Sequence, residues 1–209
     1  MTITYPRAIP SAMVIQSCRM KQRSVVAVSK SPFTGTEQVH AHQGKWWEAD
    51  ISVALMERAD AAATTAWFAS MNGREKTCLF GDPMSATARG TASSAPGTPV
   101  VNGADQTGSA LICDGAPNSA TGYLLEGDYV QLGAGASSRL HMVLEDVNSD
   151  GSGNFTLNLW PHLRSSPAND ATLVVATAQG AFRLASNLRD WTESTVAYGF
   201  SFSLTEVLP

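Results

Sequence analysis

Apolar and polar positions alternate along much of the chain at the two-residue period of half-buried β-strands. Residues 12–18 make a short apolar run through Met13, Val14 and Ile15, and 23–29 are β-branched and alternating. Ser31-Pro-Phe-Thr-Gly35 carries turn chemistry, because proline fixes φ and glycine admits φ > 0. Segments 38–43 and 45–53 then predict two strands joined at Gly44. A helix interrupts the pattern at about 55–71. Met56, Ala59, Ala63, Ala66, Trp67 and Met71 recur near helical spacing as its apolar face, with Glu57, Arg58 and Asp60 largely off it. Asn72-Gly73 supplies the C-cap. Residues 77–80 resume as a strand, and Gly81-Asp-Pro83 stops it.

Beyond Pro83 the pattern weakens. Residues 85–99, rich in Ala, Ser, Thr, Gly and Pro, predict a loop or linker. Short strands follow at 110–113, 129–132, 140–144, 155–160 and 173–177, separated by Gly, Asn and Asp as in a small barrel or sandwich. Residues 195–208 alternate at Tyr198, Phe200, Phe202 and Leu204 and predict one long half-buried strand. The expected fold is mainly β. Residues 1–87 plus 186–209 form a discontinuous β-sandwich domain with one packed α-helix, split by an inserted small β-barrel or sandwich at 88–185.

Composition adds a second expectation. Hydrophobic residues reach 44%, enough for a core, while charged residues make up only 15%, below the roughly 25% of an average soluble domain. A surface so poor in charge favours assembly into something larger. The net charge of −4, from 14 basic and 18 acidic residues with no basic tract, argues against a nucleic-acid binder. No apolar stretch reaches the ~18 residues of a transmembrane helix. The opening Met1-Thr-Ile-Thr-Tyr-Pro lacks the pattern of a secretory leader, so synthesis in a cytoplasm is expected. Cys18, Cys78 and Cys113 are widely spaced and odd in number, which predicts buried free thiols.

Each candidate for chemistry breaks at a definite position. Asp146, Asn148, Asp150 and Gly151 stand at positions 1, 3, 5 and 6 of a calcium-loop pattern. Leu157, however, occupies position 12, where a bidentate carboxylate is required, so a turn between strands is expected. His40 and His42 share one face of a strand, but His141 and His162 are remote and no cysteine stands at ligand spacing. There is no G-x-S-x-G, no phosphate-binding loop, no third glycine after Gly133-Ala-Gly135 and no acid/base pair of carboxylates. Asn154-Phe-Thr156 is a glycosylation sequon without a secretory route. Trp46, Trp47, Trp160 and Trp191 suit a β-core or a subunit contact better than a sugar platform. The sequence therefore nominates no catalytic residue, no cofactor-binding residue and no metal ligand.

Several segments together resemble a known family. They are Tyr5-Pro-Arg-Ala-Ile-Pro10, Ser31 to Val39, Trp47-Glu-Ala49, the helix into Asn72-Gly-Arg74, Leu79-Phe-Gly-Asp-Pro83, Val101 to Gly108, Leu125 to Gly133, Asp146 to Asn154, Trp160-Pro-His-Leu-Arg164 and Phe182-Arg-Leu184. The chain resembles the distal tail or minor tail proteins of siphophages over nearly its whole length. The resemblance implies a non-catalytic virion subunit at the tail tip, in a homo-oligomeric ring with six subunits as the expected order. Its implied partners are the tail tube protein, the tail hub and other baseplate proteins, with DNA passing through the channel unbound and no membrane partner. Strands 39–53 and 195–208 are expected to line or close the ring. The competing expectation is a tail-associated carbohydrate-binding protein that touches the host through the inserted β-domain.

Overall fold

The computed structural model describes residues 2–194 and 197–209. The first two residues of the strand expected at 195–208 lie outside the described residues. The protein is mainly β with one α-helix among the described residues. In chain order come β1 (Ile15–Lys30), β2 (Glu37–Val53), α1 (Arg58–Met71), β3 (Thr77–Phe80), β4 (Val100–Val101), β5 (Gly108–Asp114) and β6 (Tyr129–Leu132). Then follow β7 (Arg139–Val143), β8 (Phe155–Leu163), β9 (Leu173–Val174), β10 (Gly180–Leu184), β11 (Thr192–Glu193), β12 (Tyr198–Gly199) and β13 (Ser201–Glu206).

The first sheet has five antiparallel strands in the order β1-β2-β13-β10-β3. Its alternation follows the sequence. Trp47, Ala49, Ile51 and Val53 of β2 and Phe202 and Leu204 of β13 are buried on one face. The intervening Glu48, Asp50, Ser52, Ser201, Ser203 and Thr205 hold the polar face. The two segments expected at 12–18 and 23–29 are one strand of 16 residues, and those expected on either side of Gly44 are one strand of 17.

Helix α1 covers the apolar face, with Trp67 and Met71 of the expected side inward and that side's alanines turned out. Ala61, Thr64, Trp67, Phe68 and Met71 are buried, while Ala59, Ala63 and Ala66 are exposed. The adjacent aromatics set this rotation. Phe68 meets Phe200 and Phe202 at 5.9 and 5.1 Å between ring centroids, and Trp67 meets Phe202 at 6.1 Å. Burying the Phe68 ring beside Trp67 gains more apolar area than burying three methyl groups. Asn72, at φ 48, and Gly73, at φ 63, end the helix in the left-handed conformation as expected.

The second sheet has six strands in the order β4-β5-β8-β7-β6-β9. It closes on itself nearly completely, because Val100 of β4 bridges Thr172 beside β9, with Val101 N donating to Ala171 O and Leu173 N to Pro99 O. Leu111, Cys113, Tyr123, Val130, Leu157 and Leu159 are among the side chains that fill this barrel. Strand β10, which falls inside the expected insert, pairs instead with β3 and β13, so the chain returns to the first sheet between Val174 and Gly180 rather than at 185/186. The segment 85–99 is irregular as expected, yet it is docked rather than loose. Ala88 and Ala92 are buried, and Thr91 N and Ala92 N donate to Gly122 O and Tyr123 O.

Trp47 joins the two sheets. Its ring meets Trp160 edge-on at 4.5 Å and Tyr129 at 5.6 Å, and its Nε1 donates to Leu140 O at 3.0 Å. Leu140, on the barrel, belongs to the first sheet's core.

Candidate assembly surface

Beyond Arg23 and Trp46 the β1–β2 hairpin leaves the body of the protein. Residues 22–30 and 37–43 are exposed without exception. The departure point is a bulge: Ser24 pairs with Lys45 and Val26 with Ala41, so His42, Gln43 and Gly44 stand opposite Val25 alone. A Cβ at Gly44 would come within 2.9 Å of Val25 Cγ2, so glycine allows the close approach. The expected break at Gly44 is thus real in the backbone, but it bends and twists a continuous strand instead of ending it.

The arm beyond the bulge has two unlike faces. Cross-strand partners Val26 and Ala41, and Val28 and Val39, put aliphatic side chains on one of them. Val26, Val28 and Val39 are 50%, 59% and 62% exposed. Ala27, Ser29, Gln38 and His40 lie on the other face. The Lys30–Glu37 ion pair at 3.5 Å closes the base of the turn, and Phe33 at its tip is 95% exposed. Three exposed valines on one face and a bare phenylalanine at the tip concentrate apolar surface on one hairpin, unlike scattered surface leucines.

The two edges of the five-stranded sheet also differ. At β3, Arg7 lies alongside, with Arg7 N donating to Thr77 O and Leu79 N to Arg7 O. At β1, no strand among the described residues pairs with the outer edge. A long open edge invites pairing with another chain unless charge or shape prevents it. On the polar face of β1, Lys21 pairs with Asp50 and Arg23 with Glu48, and Arg19 lies near Asp50. Lysine hydrogen bonding holds the Asp50 carboxyl below its ordinary range.

The remaining candidates separate in space. In the calcium-like loop the oxygens serve the turn. Asp150 Oδ1 accepts from Ser152 N and Asn154 N, Asn148 Oδ1 from Gly122 N, and Asp146 Oδ1 from Glu126 N. His40 and His42 are exposed on the arm, His141 is buried in the barrel, and no group of three or more possible ligands converges among the described residues. Cys78 and Cys113 are buried, and burial pushes both thiols up to about 12. Cys18 is half-buried rather than buried, and is pushed up to about 11, first by burial and then by Asp82 and Asp50. The tryptophans form no platform, since Trp47 is buried, Trp46 lies on the opposite face of β2 and Trp191 is 45% exposed near Phe200. No helix among the described residues is long and apolar enough to cross a membrane.

Sequence reasoning missed the arm as a projecting unit. Its signal was present in the run of valines at 25, 26, 28 and 39 around a turn, with no large side chain on the alternate positions to bury the second face. The chain matches no protein-family model and no curated protein.

Proposed function

We propose that the chain is a structural subunit of a tailed-phage virion, forming a closed ring at the tail tip that joins the tail tube to the baseplate hub or fibres. The observation that carries this reading is the asymmetry of the five-stranded sheet. One edge is covered by the chain's own Arg7 segment, and the other is an open 16-residue strand that runs on into an arm with an exposed aliphatic face. An open edge and arm that dock on a different surface of the next copy make a heterologous contact, and such contacts close into rings when the rotation permits.

The polar face of β1, β2 and β13 suits a channel wall. Of its cations on β1, Lys21 and Arg23 are matched by Asp50 and Glu48, and Arg19 lies near Asp50, so no basic tract is left to hold passing DNA. The resemblance to siphophage distal tail proteins supplies the virion setting, and six subunits is the order it implies. The reading assigns no catalysis and no cofactor to the chain.

Sedimentation velocity on the purified chain, followed by electron microscopy of the assembled fraction, tests the proposal. The expected result is a concentration-dependent closed ring with a central opening. A chain that stays monomeric at high concentration and is missing from purified virions overturns it.

A further inference from the structure

One end of the barrel is open. There β6 stops at Leu132, β7 starts at Arg139, β8 stops at Leu163 and β9 starts at Leu173. Between these strand ends lies a cavity of about 200 Å³. Leu132, Leu163 and Ala171 give it apolar walls, and Arg139, Arg164 and His141 give it polar ones. Barrel mouths are a recurrent place for small-ligand sites, and the volume falls below the ~300–1,000 Å³ of drug-sized pockets. It suits a molecule of a few heavy atoms.

The charges at this mouth do not balance. Arg164 is neutralised by Glu206, which reaches over from β13. Its two Nη atoms are occupied by Glu206 and Lys45 O, while its Nε is buried with no acceptor. Arg139 has no ion-pair partner among the described residues, although Ala136 O and Ser138 O hold its Nη1 at 3.1 and 2.9 Å and fix its guanidinium. His141 is 2% exposed, with Nδ1 2.7 Å from Pro161 O, and burial holds it neutral. His162, the other titratable group near Arg164, also has its pKa lowered, by burial and by Lys45 and Arg164. One net positive charge therefore stands, pre-oriented, over an aliphatic pocket. A fixed guanidinium is the group proteins use to receive a planar carboxylate. No Phe, Tyr or Trp ring lines the cavity, so it lacks the usual surface for a sugar to stack on.

We propose that this barrel mouth binds a small aliphatic monocarboxylate, with the carboxylate on Arg139 and the alkyl chain between Leu132 and Leu163. The proposal does not rest on the ring reading, since its cavity is lined by barrel residues and none of the hairpin arm.

Calorimetric titration of the full chain with butyrate, with its uncharged isostere butyramide and with inorganic phosphate tests the site. The expected result is saturable one-to-one butyrate binding, with butyramide and phosphate each about tenfold weaker or worse. Arg139→Gln keeps the side chain's polarity without its charge and weakens butyrate by a similar factor. Ala168→Phe, at an exposed position on the cavity's rim, blocks access without touching the core and serves if the arginine variant fails to fold. Absence of saturable butyrate binding, equal binding of butyramide, tighter binding of phosphate, or unchanged binding in folded Ala168→Phe protein overturns the proposal.

Discussion

Arg164 and Glu206 form a two-pronged ion pair, Nη1 to Oε1 and Nη2 to Oε2, both at 2.8 Å, between the end of the barrel strand β8 and the last residue of β13. Glu206 is fully buried and also accepts from Trp47 N at 3.0 Å. Arg164 donates in addition to Lys45 O. One pair thus ties the barrel to two strands of the first sheet, beside the Trp47–Trp160 contact.

A buried pair of this kind is costly to break from one side. Glu206→Gln leaves the guanidinium buried without a counter-charge and is expected to cost about 3–5 kcal/mol in urea denaturation. Removing both charges as Arg164→Met with Glu206→Leu is expected to return most of that loss, because the desolvation of both ions disappears with them. A double variant no more stable than Glu206→Gln contradicts this account.

The docked segment at 85–99 gives a second test. Gly90 packs against the barrel so closely that a Cβ would fall 2.4 Å from Tyr123 O and 2.5 Å from Gly122 O, both rigid backbone atoms. Gly90→Ala is expected to destabilise the protein by roughly 1–3 kcal/mol, the usual cost of overpacking. If the segment were a free linker, the same substitution would leave the unfolding midpoint where it is.

His141 sets a pH window. Burial, the dominant cause, pushes its pKa from an ordinary 6.5 down to about 4, with Arg164 and Arg139 lowering it further and the Pro161 carbonyl acting against them. Between these values the unfolded chain binds a proton that the folded chain refuses. Stability is therefore full above pH 6.5 and lost as pH falls towards 4, by about 3 kcal/mol. Denaturation midpoints measured from pH 7 to 4.5 are expected to fall in the native chain and to fall much less with His141→Asn. Carboxylates with lowered pKa, such as Asp50 and Asp150, act at lower pH, and His162, also lowered, adds a loss of the same sign that His141→Asn leaves in place.

Much of this architecture was legible in the residues, and the failures have physical causes. Strand β3 was read to the residue because Thr77-Cys-Leu-Phe80 alternates and Gly81 and Pro83 end it. The helix and its buried Trp67 and Met71 are legible, but Phe68 is not, because six alanines offer an apolar stripe on almost any side. Only the tertiary position of Phe200 and Phe202 selects the side that adds Phe68 to Trp67. The segment of β10 falls inside the expected insert because local pattern carries no information about which partner a strand will meet. The clasp left a trace that went unread. Glu206 continues the inward phase of Phe202 and Leu204, and a carboxylate on the core face of a strand calls for a buried cation. Which cation it would be depends on a contact 42 residues away.

The arm is the feature on which assembly turns, and it separates folding from association. Val28 is 59% exposed and sits beyond the bulge at Gly44, so it contributes nothing to either core. Val28→Glu is expected to leave the thermal midpoint close to that of the native chain, with a change in stability within about 0.5 kcal/mol. The same variant places a charge among Val26, Val39 and Ala41, where any partner must desolvate it, and is expected to abolish the ring seen by sedimentation. Ser29→Glu carries the same charge one residue on, where the strand turns its side chain to the opposite face, paired with Gln38. It is expected to assemble normally. Rings that form equally well in both variants show that the aliphatic face of the arm takes no part in the contact. Loss of rings in both shows that the added charge acts without regard to face.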